Sequence, residues 1–513
     1  MKKMYIAILL VLTMALACGC QPVSKETSGD KMTISAAFFG ADNSTWKNDD
    51  YYNYISEKFD VEFDFYPLSW DNYLEKTRIW VSSGDMPDYM FSEFNFTDYV
   101  NYSKQGAVRA LPDDYADKYP NLAAALESTK IDGILKSKSD GKLYCTPRSN
   151  FFGMDANSSN ADMYGYVYRK DWAEEMGIDV NEVLSYDEMI NLAKEFIKQD
   201  IEGNGENKTI GIAVSPTEAP NVFVAPENSY FKKFHKVDGR YIWGATEEAT
   251  FAGLENYSKA YKEGVLDPNF YTHKNEDVES RFYAGKAGIL FYNLTPNLYD
   301  QLKGKMKEAN PDMDVDSALG TFVMKGRDGL IHCNEATPFW SATYFSPKMS
   351  DEKFAKILEI MDYAASDEGF LQVNLGLKGI DYDVQDGKPV ILGDSAEQVM
   401  NKYPSADLFR VFTNLSEGFS FISPSIAEST QAEVRRNIAN KENTGLSLAE
   451  VDYNILFFNG EKFDKFEPVK RVESMMAEVV VSDSDVRTEW NKKIAEIENS
   501  LSAVLAELNE NIN

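Results

Sequence analysis

The chain is poor in the side chains on which zinc enzymes and many hydrolases depend. Its 513 residues include only three histidines (His235, His273 and His332) and four cysteines. So few argue against a zinc site of His and Cys ligands and against a catalytic triad that needs histidine. The chain also contains no Gly-x-Ser-x-Gly elbow and no His-Glu-x-x-His motif, which mark hydrolase nucleophiles and zinc proteases. No motif of this kind predicts catalysis.

Basic side chains are scarce relative to acidic ones. There are 52 Lys and Arg against 82 Asp and Glu, which gives a net charge of −30. Such a surface repels phosphate backbones, so nucleic acid is excluded as a partner, and an anionic ligand would need a locally basic pocket. Aromatic residues, by contrast, are plentiful, with 7 Trp, 29 Tyr and 31 Phe. The composition favours an acidic, aromatic-rich binding protein.

No apolar run after the N-terminus is long enough to cross a bilayer. Residues 1–20, MKKMYIAILLVLTMALACGC, combine early lysines with a short apolar stretch and predict a secretory signal. Its end resembles the lipobox of bacterial lipoproteins, in which the signal peptidase cuts before a lipid-bearing cysteine. We expect lipidation at Cys20, with Cys18 as the alternative, and a polar tether over 21–31. The predicted location is the extracellular face of the cell membrane, by lipid anchor; secretion without a lipid is the other interpretation.

The body of the chain alternates strand and helix patterns. Apolar or alternating runs at 32–39, 61–68 and 89–91 predict strands, and helical patterns separate them. A second series of the same kind begins near Tyr164. This order predicts an α/β fold on largely parallel sheets. Near the C-terminus, apolar residues at helical spacing predict a packing helix that includes Trp490.

Several short strings resemble the family 1 extracellular solute-binding proteins of bacterial ABC importers, in their long lipoprotein branch. They are SGDMPD (83–88), GKLYCTP (141–147), YRKDWAEEMGID (168–179), YDEMINLAKEF (186–196), YKEGVLDPNF (261–270), AGKAGILF (284–291) and ASDEGF (365–370). No single string is decisive, but their order and spacing make the resemblance specific. It implies an α/β, two-lobed periplasmic-binding-protein-like fold with a hinge and an interlobe cleft.

The resemblance also implies how the chain divides and what it does. Lobe 1 would comprise 32–148 with 330–375 returning to it, and lobe 2 would comprise 149–329 with much of 376–513. Members of this branch often bind oligosaccharides. The implied function is capture of an oligosaccharide in the cleft, hinge closure and delivery to the membrane subunits of an ABC permease. The expected protein is a monomer and not an enzyme.

Four tryptophans are candidates for contact with a sugar, because the apolar faces of sugar rings pack on flat aromatic rings. Trp46 follows the first strand, Trp70 opens a helix, Trp243 follows a turn, and Trp340 lies in the segment that crosses between the lobes. For each of them, burial in the core is the alternative interpretation.

Polar candidates follow the predicted strands, since ligands bind at the carboxyl ends of strands in such sheets. Glu93, Ser215 and Asn293 come directly after strands, and Tyr144 and Arg148 flank the predicted crossing between lobes. The Arg148 guanidinium would form a bidentate clamp on a carboxylate or a hydroxyl pair. A surface ion pair is its alternative role.

The string DIEGNGENKT (200–209) resembles the calcium loop of alginate-binding members of the family. Asp200, Glu202 and Asn204 match the first side-chain ligands, and Glu206 would offer its carbonyl. The ninth position is a lysine, however, and no bidentate Glu stands at the twelfth. The pattern favours an ordinary Gly-Asn turn, with calcium as the alternative; no other cofactor is predicted.

Other functions stay open at the level of the sequence. A secreted carbohydrate-active enzyme would need two carboxylates, and acids are plentiful. A binding protein for peptides or another small solute would share the fold. The linkage, length and charge of a sugar ligand are not specified, nor is it settled whether Cys145 and Cys333 pair.

Overall fold

The computed structural model describes residues 31–69, 72–150, 160–205, 208–392, 402–410 and 416–512. The strands in these ranges are β1 Met32–Phe39, β2 Val61–Leu68, β3 Tyr89–Glu93, β4 Thr146–Ser149, β5 Tyr164–Arg169, β6 Val183–Leu184, β7 Ile210–Ala213, β8 Phe234–Val237, β9 Arg240–Trp243, β10 Ala287–Asn293, β11 Leu319–Met324, β12 Ile331–Asn334, β13 Phe339–Phe345, β14 Tyr382–Gln385, β15 Lys388–Ile391 and β16 Leu446–Ala449.

The helices lie between these strands along the chain and, at the C-terminus, after the last of them. They are Asn43–Trp46, Asp50–Phe59, Tyr73–Ser83, Phe96–Gln105, Tyr115–Lys118, Pro120–Ser128, Asp132–Ser137, Lys170–Glu175, Tyr186–Gln199, Ala219–Phe223, Glu248–Lys262, Asn275–Tyr283, Pro296–Ala309, Val315–Ala318, Asp351–Ala365, Asp367–Leu375, Ala406–Arg410, Ser416–Phe419, Glu428–Thr444, Tyr453–Leu456, Glu461–Asp464, Pro468–Val480 and Val486–Asn511. None of those in the described ranges is long and apolar enough to cross a membrane.

Two five-stranded sheets carry the described part of the chain. Lobe 1 is built on the sheet β2-β1-β3-β13-β4, and lobe 2 on the sheet β6-β11-β5-β10-β7. The two lobes confirm the predicted α/β fold. The sheets are mixed where largely parallel ones were predicted, because β13 runs antiparallel to β3 and β4, and β5 runs antiparallel to β10 and β11.

The antiparallel strands decide which residues meet at the edge of each sheet. In lobe 1 the carboxyl ends of β1, β2, β3 and β4 lie at one edge, and the amino end of β13 joins them. In lobe 2 the carboxyl ends of β7, β10 and β11 meet the amino end of β5. We call these two edges rim 1 and rim 2.

Each sheet has its own apolar core. The lobe 1 core draws on residues from Ile34 to Cys145 and again from Phe339 to Phe409. The lobe 2 cores draw on residues from Met163 to Met324 and on the C-terminal helices, with Trp490 fully buried among them. The C-terminal helix therefore packs on lobe 2, as its apolar pattern predicts.

Paired strands join the lobes. The backbone N–H of Asp162 donates to the Asn334 carbonyl at 2.8 Å, and that of Ala336 donates to the Asn160 carbonyl at 2.7 Å. β16 pairs in parallel with β12 alongside this crossing. The connection between the lobes is thus multi-stranded, as expected of a hinge.

A C-terminal segment also touches both lobes. Phe457 packs its ring edge-on against Phe96 of lobe 1, with 4.9 Å between ring centroids. Asp452, five residues earlier in the chain, accepts a hydrogen bond from the Tyr241 hydroxyl of lobe 2 at 2.7 Å. Because Phe96 follows β3 directly, this contact lies near rim 1.

Candidate functional site

Rim 1 presents a cluster of aromatic rings. The Phe39 ring lies 5.2 Å from Tyr73 and 5.4 Å from Phe91, and Phe91 lies 5.5 Å from Trp340, measured between centroids. Phe39, Tyr73 and Trp340 are each partly exposed. The four rings come from β1, the helix after β2, β3 and β13, so the topology of the sheet brings them together.

A carboxylate lies beside this cluster. Glu93 ends β3 with an exposed side chain, and it accepts a short hydrogen bond from the Tyr73 hydroxyl. That bond raises the pKa of Tyr73 to about 12, so the phenol stays protonated and keeps donating at neutral pH. Rim 1 therefore combines an apolar, flat surface with an ordered hydrogen-bond acceptor.

Rim 2 presents a second aromatic surface. Tyr164 opens β5, is 42% exposed, and stacks on Phe291 with 5.2 Å between centroids and 18° between ring planes. Burial of the hydroxyl, followed by the negative charges of Glu218 and Asp162, raises the pKa of Tyr164. The stacked pair thus lies among carboxylates at the edge of the sheet.

A cavity of about 370 Å³ opens next to this pair. Its walls include Tyr164, Phe291, Glu218, Asn221 and the hinge residue Asn334. The Glu218 carboxylate accepts a hydrogen bond from the Asn221 amide at 3.1 Å, and the buried Asn334 side-chain oxygen has no hydrogen-bond partner in the described structure. The volume is within the range of small-molecule pockets, and the walls offer both apolar faces and polar atoms.

Three of the residues singled out in the sequence lie at the exposed part of the rims. Trp340 and Glu93 are at rim 1, and Asn293 ends β10 at rim 2, directly across from Tyr164 in the register of the sheet. Trp340 and Asn293 are partly exposed and Glu93 is exposed. The side chains of all three are therefore accessible to solvent at the edges of the sheets.

Two further residues lie at the rims but are buried. Arg148 is 3% exposed, with its guanidinium carbon 5.7 Å from the centroid of the Phe91 ring. Ser215 is 1% exposed, and its hydroxyl donates to the Asn275 side chain at 2.6 Å. They support the rim surfaces and do not face the open cleft.

The other described candidates do not present their side chains at the rim surfaces. Trp243 is fully buried against Phe466, and Trp46 is 5% exposed and packs on Phe65, so neither ring has a face for a ligand. Tyr144 precedes β4 at the far edge of the sheet and donates to Asp140. Trp70 lies outside the described residues. Burial in the core, the alternative interpretation, describes Trp46 and Trp243.

The sequence argument missed the rim residues Tyr73, Tyr164, Phe291 and Glu218. Candidates were predicted only at positions after strands, whereas Tyr164 is the first residue of β5, which runs antiparallel to β10. Glu218 follows β7 by a few residues and begins a short helix. A search of both ends of each strand would have found Tyr164.

The Asp200 and Asn204 side chains, in the loop after the helix Tyr186–Gln199, already have protein partners. Asp200 accepts hydrogen bonds from the backbone N–H groups of Asn204 and Gly205 and from the Thr209 hydroxyl. These bonds, led by that of Thr209, lower the pKa of Asp200. The Asn204 amide donates to Thr209 and to a backbone carbonyl.

Glu202, the second candidate calcium ligand, contacts the end of β5 and the helix that follows it. Its carboxylate accepts from the Arg169 guanidinium at 2.7 Å and from the Trp172 indole at 3.2 Å. The Lys208 ammonium lies 3.8 Å from the position that a Cβ on Gly205 would take. Glu202 is thus engaged by lobe 2 side chains, and the described residues include no cluster of three metal-ligating side chains; Glu206 lies outside them.

The two cysteines of the body are free. Cys145 is buried in the core of lobe 1, and Cys333 lies on β12 of the hinge. Burial raises the pKa of the Cys333 thiol to about 12. Neither thiol forms a disulfide, which answers the question that the sequence left open.

No family model matches the chain. It is 25% identical over 406 residues to Lipoprotein LipO of Bacillus subtilis (strain 168), a match that covers 75% of this chain and 75% of LipO. It is 24% identical over 245 residues to the fructooligosaccharide ABC transporter substrate-binding protein FusA of Streptococcus pneumoniae serotype 4 (strain ATCC BAA-334 / TIGR4), covering 44% of this chain and 43% of FusA.

The solved structure of S. pneumoniae FusA in complex with kestose has the same fold. It superposes with a TM-score of 0.66 at 17% identity and covers 93% of this chain and 98% of FusA as solved. The chain thus has the two-lobed fold and the sequence relatives of the extracellular solute-binding proteins, which confirms the family resemblance found in its sequence.

Proposed function

We propose that this protein is the substrate-binding lipoprotein of an ABC importer and captures an extracellular oligosaccharide between its two rims. The observation that carries the proposal is the pair of aromatic surfaces, one on each side of the hinge, each with a carboxylate beside it. Sugar rings expose apolar faces that pack on such rings, and their hydroxyls donate to carboxylates. The names of LipO and FusA support this assignment.

Capture would proceed by closure of the lobes about the hinge. The multi-stranded crossing at Asp162 and Asn334 would let lobe 2 rotate toward lobe 1 while each core stays intact. Binding needs complementarity to the unreacted ligand and no residue that transfers a proton or attacks it. We therefore propose a binding protein and not an enzyme, so the ligand should be recovered unaltered.

The proposed binding residues combine both sources of inference. Trp340, Glu93 and Asn293 come from the sequence, and the structure adds Tyr73 and Tyr164 among others. Arg148 and Ser215 would act by supporting the rims.

We also propose that the protein acts as a monomer anchored outside the cell membrane. The anchor would be a lipid on Cys20, or on Cys18, and the partner would be the permease. The LipO match supports the lipoprotein assignment. In the proposed division of the chain, the described residues 402–410 belong to lobe 1, because several of them pack in its core, and most later residues belong to lobe 2.

Trp340→Ala and Tyr164→Ala should each weaken binding of the saccharide by about 10- to 100-fold. Each substitution removes an aromatic face whose burial against a sugar is worth about 1.5–3 kcal/mol, and each 1.4 kcal/mol is a factor of about ten. Isothermal titration calorimetry with any oligosaccharide found by a thermal-shift panel measures the effect. Trp80→Ala is the matched control, because Trp80 is also half-buried but lies about two helical turns from Tyr73. Equal effects at Trp80 and Trp340 would count against a site at rim 1.

We propose further that the loop 200–209 holds its shape without calcium. Replacing millimolar calcium by a chelator should shift the melting temperature by less than about 1 °C, whereas an ion held at 100 times its Kd would add about 2.7 kcal/mol. Differential scanning fluorimetry of the mature protein measures the shift. A loss of several degrees in chelator, reversed by calcium, would show that the loop binds the ion in spite of Lys208.

A further inference from the structure

We propose that the cleft is built for uncharged saccharides and discriminates against uronic acid chains. This inference rests on the proposed function and deepens it, because it names the class of sugar. It is carried by the charges that the two rims leave accessible. The alginate-binding protein AlgQ2 shares this fold, and alginate is an anionic polymer. The fold therefore does not set the charge of the ligand.

Two accessible charged groups beside the aromatic surfaces of the rims are carboxylates. Glu93 is exposed and accepts its hydrogen bond from the neutral Tyr73 hydroxyl. Glu218 is partly exposed, lines the cavity, and accepts from the neutral Asn221 amide. Neither forms an ion pair with a basic side chain in the described part of the chain. No basic side chain therefore offsets either carboxylate, and each can accept hydrogen bonds from ligand hydroxyls.

The basic side chains of the cavity wall are already neutralised by the protein. Lys232 pairs with Glu473 at 3.0 Å, and His332 contacts Asp328 at 3.0 Å. Lys441 is 5% exposed, donates to the Asp162 carbonyl at 2.6 Å, and lies 3.5 Å from the Asp162 carboxylate.

At rim 1 the partly exposed Lys76 donates to the Pro67 carbonyl at 2.9 Å, and the Arg148 guanidinium is inaccessible. Arg148 is 3% exposed and its guanidinium lies over the Phe91 ring. An anionic ligand could not reach this charge without moving the aromatic cluster above it. Beside the aromatic surfaces, the described rims therefore expose two carboxylates, while the basic side chains named here are buried, paired or hydrogen-bonded within the protein.

Desolvation and electrostatic repulsion would weaken the binding of a uronic acid chain in this cleft. Its carboxylates would lose water without gaining a cation and would approach Glu93 and Glu218, which carry the same sign. The net charge of −30 adds repulsion during approach. A neutral chain has no carboxylate that must be desolvated or that is repelled, and its hydroxyls would donate to Glu93 and Glu218.

The experiment compares neutral and uronate oligosaccharides of the same length and linkage. The probes are α-1,4-linked galacto- and galacturono-oligosaccharides and β-1,4-linked manno- and mannurono-oligosaccharides, titrated calorimetrically into the mature protein at low salt. We expect a neutral series to bind and its uronate counterpart to bind at least about tenfold more weakly. Added salt should narrow the difference, because it screens the repulsion.

Two variants assign the discrimination to the named carboxylates. Glu93→Gln and Glu218→Gln keep side-chain shape and remove the charge, so each should lower the neutral-to-uronate affinity ratio by about three- to tenfold. Glu57→Gln, at an exposed position on the helix Asp50–Phe59, is the matched control and should leave the ratio unchanged. The ratio is the informative quantity, since both substitutions also alter contacts with a neutral sugar.

Each outcome bears on a separate claim. Equal or tighter binding of a uronate series would overturn this inference and leave the proposed function intact. Preference for neutral sugars with an unchanged ratio in both variants would show that Glu93 and Glu218 are not its source, and would overturn the inference as argued. Failure of all saccharides to bind, with a response to peptides, would overturn the proposed function and this inference together.

Discussion

Replacing Asp171 and Glu202 together by alanine is expected to destabilise lobe 2 by about 3–5 kcal/mol. Their carboxylates hold the guanidinium of Arg169, which is 2% exposed, through hydrogen bonds of 2.6–2.8 Å. Those bonds outweigh burial, so the net effect is to raise the pKa of Arg169. Without both acids a buried positive charge would have no counter-charge. Urea unfolding followed by circular dichroism measures the loss.

A third substitution separates charge burial from lost packing. Adding Arg169→Met to the double variant removes the stranded charge, so the triple variant should regain part of the lost free energy of unfolding. Arg169→Met alone should cost less than the double variant, since the Asp171 and Glu202 side chains are 34% and 38% exposed and can be hydrated. A triple variant less stable than the double would show that the guanidinium stabilises the lobe by packing on Trp172.

The same contacts explain why the role of the loop 200–209 is ambiguous from local sequence alone. The spacing of Asp200, Glu202 and Asn204 is set by local sequence and is visible in it. The partner that Glu202 takes, Arg169, lies on β5 and is brought close only by tertiary packing. Local spacing therefore suggests a calcium loop, whereas the fold directs one of its ligands to another role.

Local patterns predicted the strands well. The bounds of β1 and β2 match the runs 32–39 and 61–68, and β3 includes the run 89–91. These features depend on alternation and on neighbours within a few residues. They are therefore encoded in short stretches of sequence.

The rim residues were harder to predict from local patterns, because which residues lie at a rim depends on the direction of each strand in its sheet. Nothing near Tyr164 in the sequence says that β5 runs antiparallel, and only that direction brings its first residue to the cleft edge. Trp243 shows the opposite error, since a tryptophan after a turn can face either way and here packs on Phe466 from the C-terminal region. Long-range pairing decides both cases.

Trp490→Ala should destabilise lobe 2 by about 3–5 kcal/mol, the usual range for removing a buried tryptophan. The side chain is fully buried where the helix Val486–Asn511 packs on the core of lobe 2. Its indole donates to the Ala245 carbonyl at 2.9 Å. The variant therefore loses apolar burial, leaves a cavity and removes the partner of a buried carbonyl.

Differential scanning calorimetry would show where the loss falls. Because the two cores are separate, two lobes can unfold in distinct transitions, and Trp490→Ala should lower only the lobe 2 transition. Trp490→Phe keeps most of the apolar volume and should cost less, which isolates the hydrogen bond and the residual void. If both transitions fall together by similar amounts, the C-terminal helix stabilises the molecule as one cooperative unit. Contact of Phe457 with Phe96 would then be the structural link through which lobe 1 depends on the C-terminal region.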